Sequence, residues 1–167
     1  MQVVARNSKL WNYMSPEIRD LIEDGEIILN FVFENKETTD ISDYSFIVFP
    51  FAKAYEGFLK RFFWDIDLIT EDEYYGDEIR IGRLLNPNYE DNSSVYMKVC
   101  GHAKGGEALA QRLWDAWKRG RNTVFHYFPH NFKKLKYNEA LDIINDLIGA
   151  MSEVSFLCLE SGGKKKK

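Results

Sequence analysis

The chain has 167 residues, a formal net charge of −4 and an aromatic fraction of 15%. That length suits one domain with a single core, and a chain with 45% apolar residues is not expected to be disordered over most of its length. An acidic chain does not coat nucleic acid uniformly, and with no run of about 18 apolar residues it is not expected to span a membrane.

The N-terminal stretch MQVVARNSKLW lacks the apolar core of a signal peptide, so a cytoplasmic protein is expected. Cys100 and Cys158 have no paired C-x-x-C neighbours. They are expected to be free, buried thiols rather than ligands of a structural zinc. One helical domain is expected over residues 1–160, followed by a flexible basic tail, SGGKKKK, over 161–167.

The first helix opens at Ser15-Pro16-Glu17, where a capping hydroxyl, a proline for the first helical position and an acid for the first turn follow one another. Ile18, Leu21, Ile22, Leu29, Val32 and Phe33 then keep helical spacing, with Gly25 as a weak point, until ENKETTDISD ends the element. A second helix is predicted over 44–64, capped by Asp43, with a kink at Pro50. Its apolar stripe is Ile47, Phe51, Ala54, Tyr55, Phe58, Leu59 and Phe62. DIDLITEDEYYGDE (65–78) carries seven acids and no base, and reads as a solvated loop. It opens a long, partly ordered connection with a turn at Asn86-Pro87. VYMKVCGHAK suits either a short strand or a helical turn.

The third helix is predicted from Gly105-Gly106 through EALAQRLWDAWKRGRNTVFHYF to Pro129, and the fourth over 137–158, with Ala140, Leu141, Ile144, Leu147, Ile148, Met151 and Val154 in helical register. The fold class is therefore all-α, a bundle of four main helices with a long connection between the second and third.

The third helix carries the chemistry. Ala116 to Asn138 contains no Asp or Glu but includes Lys118, Arg119, Arg121, His126, His130, Lys133 and Lys134. On a straight helix of about 100° per residue, Ala110, Leu113, Trp114, Trp117, Val124, Phe125 and Phe128 form one apolar stripe. Arg119, Asn122 and His126 lie opposite it. Arg121 falls on the stripe, where its guanidinium must either reach outward or pair with an acid. Glu56, in AYEGFLKRFF, is the candidate acid. Its simpler role is a surface pair with Lys60, four residues on.

Arg121 to His126 with four intervening residues, or Arg119 to His126 with six, on a late helix of a small α-bundle, resembles the signature of the HEPN superfamily. FAKAYEGFLKRFF and WDAWKRGRN are most similar to the HEPN domain of RNase LS-type toxins of bacterial toxin–antitoxin systems, over roughly residues 40–158. The resemblance implies a homodimer in which two motifs form one metal-independent endoribonuclease site. It implies RNA as substrate, a cognate antitoxin protein as partner, and no cofactor or metal. Arg121, Asn122, His126 and Glu56 take the catalytic positions, and Arg119, Lys118, His130, Lys133 and Lys134 contact RNA. Some relatives place a modified Tyr two residues after the His; here Phe128 stands there.

The chemistry suits these residues. RNA supplies its own nucleophile, the 2′-OH beside the scissile phosphate. An imidazole titrating near pH 6.5 can take that proton or protonate the leaving oxygen. A guanidinium can hold two phosphate oxygens and offset the charge of the transition state. Two readings compete. His126 and His130 have the spacing of two metal ligands on a helix, although Pro129 interrupts it. A HEPN-like module without catalysis would bind RNA, a nucleotide or a protein through the same basic patch.

Overall fold

The computed structural model describes residues 1–89, 96, 98, 99 and 106–157. Among these every regular element is helical. The helices are α1 (Lys9–Tyr13), α2 (Pro16–Asn35), α3 (Phe49–Asp65), α4 (Glu71–Tyr75), α5 (Ile81–Leu84), α6 (Gly106–Trp117) and α7 (Tyr137–Leu157). No helix among the described residues is long and apolar enough to cross a membrane. Cys100, Cys158 and residues 161–167 lie outside the described residues, as does most of VYMKVCGHAK; of that stretch Tyr96 and Val99 are buried.

The predicted second helix divides at Pro50. Asp43 accepts from the Ser45 N–H and opens a 3-10 turn over Tyr44–Val48, and α3 then begins with Pro50 in its first turn. A proline there sacrifices no helical hydrogen bond. Helix α3 is the core of the molecule. Phe51, Tyr55, Phe58, Leu59, Phe62 and Phe63 are fully buried, and α3 packs on both α2 and α7. Beyond the exposed Phe49 at its start, α3 reaches solvent chiefly along one stripe: Lys53, Glu56, Gly57, Lys60 and Arg61. Burying so many aromatic rings, each worth about 1.5–3 kcal/mol of transfer free energy, leaves that stripe rigidly placed.

Helix α2 follows its predicted boundaries, with Ile18, Ile22, Leu29 and Val32 inward. Phe33 does not join them. It is half exposed and lies under the Lys36 ammonium. Gly25 is not a weak point but a point of closest approach, because a Cβ there would stand 2.5 Å from the Phe51 ring. Three short helices, α1, α4 and α5, were not anticipated. Helix α1, capped by Ser8, packs on α7. The acidic stretch is not simply a loop, since Thr70 and Glu73 form a reciprocal capping box that starts α4, and Tyr74 stacks on Trp64 at 4.5 Å.

The largest correction concerns the third helix. The α-helical ladder ends at Trp117, and Lys118–Thr123 continue as a π-helical turn. The chain then leaves regular helix through Val124 and Phe125, and His126 sits in a bend. After Phe128 a 3-10 turn over Pro129–Asn131 places His130 and Asn131 at positive φ, 59° and 49°. Gly120 explains where the π-turn packs. It is buried against α7, and a Cβ on it would stand 2.6 Å from Leu147 Cδ2.

Candidate functional site

The predicted site residues divide into three groups. Arg121 and Glu56 meet: Arg121 Nε lies 3.6 Å from Glu56 Oε2, and the guanidinium also stands over the Phe125 ring at 5.3 Å. Together with Phe49, Ala52 and Lys53 they line a cavity of about 180 Å³. Its wall is the solvent stripe of α3, and its roof is the π-turn. Phe49 closes one end edge-on to Phe125, with ring centroids 5.7 Å apart. Of the two roles considered for Glu56, the structure assigns the pair with Arg121. Both side chains keep substantial solvent contact, 42% for Arg121 and 32% for Glu56, so the pair is weakly held and open to exchange.

Arg119 turns the other way. Its Nη1 lies 3.6 Å from Asp146 Oδ2 on α7, where Asp146 also receives Arg112. Two arginines two residues apart thus serve different helices, α3 and α7. The straight-helix wheel, which grouped Arg119 with His126, does not apply, because a π-turn accommodates an extra residue and turns everything after it back by roughly one α-helical step of 100°.

His126, Asn122 and Lys118 form the second group. Among the described residues none of these side chains makes a hydrogen bond or an ion pair within the chain; His126 and Lys118 are exposed and Asn122 half-buried. They project from the π-turn and the bend after it, so they are presented outward rather than locked by neighbours. His130, Lys133 and Lys134 form the third group, beyond Pro129. The Lys133 ammonium sits over Phe128 at 4.2 Å and Phe132 at 6.0 Å. The metal-ligand reading of His126 and His130 loses its geometric basis, since no common helical face joins them. Among the described residues no three His, Cys, Asp or Glu side chains are placed to hold a metal ion together.

Asp43 positions this segment, and sequence reading gave it only a capping role. Its Oδ1 accepts from Ser45 N–H, Ser45 Oγ and Leu135 N–H, and its Oδ2 from Asn131 Nδ2 at 2.9 Å. Burial would raise its pKa, but the hydrogen bonds from Ser45, Asn131 and Leu135 outweigh it and bring the carboxyl down to about 2. Asp43 therefore ties the turn after His126 to the start of α3. Tyr44 N–H adds a bond to Leu135 O. Lys53 and Phe49 were also missed as lining residues. For Lys53 the available signal was its spacing of three before Glu56, which places both on one face.

Comparison with known proteins finds no family model, no curated protein and no solved structure that matches this chain.

Proposed function

We propose that the protein is a metal-independent endoribonuclease of the HEPN type, acting as a toxin or antiviral effector. In this reading Arg121 holds the scissile phosphate, His126 moves protons, and the working site forms between two copies. The observation that carries it is the Arg121–Glu56 pair beside a small open cavity. Glu56 faces the guanidinium without burying it or binding it tightly, so an incoming phosphate can take over its donors. A π-turn carrying the motif fits this reading, because such turns recur at functional sites.

In the proposed reaction the 2′-OH loses its proton to one His126 and its oxygen attacks the adjacent phosphorus. The bond to the 5′-oxygen breaks, and that oxygen takes a proton from His126 of the partner subunit. The products are a 2′,3′-cyclic phosphate and a 5′-hydroxyl. One chain supplies one motif histidine, so acid and base together require two copies. The outward presentation of His126 and Asn122 suits such a shared site. Analysis of cleaved ends tests the chemistry: 2′,3′-cyclic phosphates support it, and 3′-hydroxyl ends rule it out.

A second reading rests on the same outward presentation. Because no group among the described residues orients His126, the basic surface would serve equally as a non-catalytic module for RNA, nucleotides or a protein. That reading requires RNA to remain intact, whether or not it binds.

A further inference from the structure

A second, larger cavity of about 720 Å³ lies between the start of α2, the solvent stripe of α3 and the end of α4. It shares Lys53 and Glu56 with the Arg121 cavity, so the two meet along α3. Its volume falls within the usual range for small-molecule sites.

The chemistry of its walls is divided. Ile18, Leu21 and Gly57 give an apolar floor. Gly57 matters here because a side chain at this helix-interior position would both occupy the cleft and press on Ile18, whose Cγ1 is 3.3 Å from the place of a Cβ. Lys53 and Lys60 stand on either side of it, two turns apart on one face of α3, with Cα atoms separated by about 10 Å. Neither lysine forms an ion pair with a described residue, whereas the other charges of α3 here are engaged: Glu56 with Arg121 and Arg61 with Asp65. At the far end Tyr74 is fixed against Trp64, and Tyr75 stands edge-on to it with 71% of its surface exposed. Glu17 is on the exposed rim, and Glu73 is occupied by the Thr70 cap.

We propose that this cleft binds a nucleoside phosphate, with the base against Tyr75 and the phosphate between Lys53 and Lys60. Flat aromatic surface, an apolar floor and two unengaged ammonium groups are what such a ligand needs. The bases of single-stranded RNA and of free nucleotides share this chemistry. The site stands apart from the catalytic reading, because binding here needs neither His126 nor cleavage. Its connection to that site is Glu56: a ligand drawing Lys53 towards the cleft changes the charge around the Arg121 pair.

Calorimetric titration of the full chain tests the proposal in two arms. One uses ATP and AMP. The other uses a short single-stranded RNA with the His126→Ala protein, so that cleavage cannot intervene. Lys60→Gln and Tyr75→Ala each change a side chain at the cleft wall, and unchanged melting temperatures verify the folds. Binding in either arm that weakens at least fivefold in both variants supports the cleft, and the responding arm identifies the source of the nucleotide. Absence of binding in both arms, or affinity unaltered by the two substitutions, overturns it.

Discussion

Arg121 Nε stands 3.6 Å from Glu56 Oε2, joining the π-turn to the solvent stripe of α3. A half-exposed pair of this kind contributes only about 0–1 kcal/mol to stability. Replacing Glu56 with Ala is therefore expected to leave the melting temperature nearly unchanged while lowering RNA cleavage, because the guanidinium loses the carboxylate it faces. Parallel thermal melts and cleavage assays check this. A variant that unfolds early or cleaves normally would remove Glu56 from the site.

The two arginines are separable by lysine substitution, which keeps charge but loses the forked donor geometry. Arg121→Lys is expected to lose most cleavage. Arg119→Lys is expected to keep most of it, since Arg119 faces Asp146 on α7. Steady-state rates on one RNA decide between them, and the opposite ranking would make Arg119 the phosphate clamp.

Much of this arrangement was legible in the sequence because long apolar periods fix long helices. Ser15-Pro16 at one end of α2 and the Ile144–Leu147–Met151 register of α7 are local signals with large burial behind them. The pairing of Arg121 with Glu56 followed from a charge stranded on an apolar stripe. The π-turn was not legible: KRGRNT has no pattern that separates i→i+5 from i→i+4 bonding, and Val124 and Phe125 continue the α-helical spacing. The wheel's grouping of Arg119 with His126 does not hold for that reason. Helix α4 was hidden by its acidity, although Thr70-x-x-Glu73 is a capping-box pattern.

Gly120 and Leu147 set the contact between the π-turn and α7. Gly120→Ala forces a Cβ to 2.6 Å from Leu147 Cδ2 and 2.9 Å from its Cγ, in a fully packed region. Overpacking of this kind costs about 1–3 kcal/mol. Chemical denaturation is expected to show that loss, together with reduced cleavage as Arg121 shifts. A variant as stable as the parent would mean that the π-turn moves freely over α7.

Asp43 predicts an acid-sensitive link. Its folded pKa, about 2, lies below the ordinary value of 3.8. A depressed carboxylate contributes stability that is complete above the unfolded pKa and is lost as pH falls through the folded one. The contribution of this link should therefore fade between about pH 3.8 and about pH 2. Asp43→Asn is expected to lose the corresponding slope in a plot of denaturation midpoint against pH, and to loosen the His130–Asn131 turn. Identical slopes in both proteins would show that Asp43 is not linked to folding.

A site shared between copies predicts concentration-dependent activity. Sedimentation should show a homodimer at micromolar protein, and specific activity should fall on dilution through its dissociation range. A strictly monomeric protein that still cleaves RNA would exclude the shared site.

The most direct measurement is RNA cleavage in excess EDTA by the parent protein beside His126→Ala. His126 is exposed and has no hydrogen bond within the chain among the described residues, so its replacement should leave the fold intact. The expected result is cleavage by the parent in EDTA and none by a fully folded His126→Ala. Undiminished cleavage by His126→Ala, or a parent protein that leaves RNA intact under conditions where it binds it, would contradict the account.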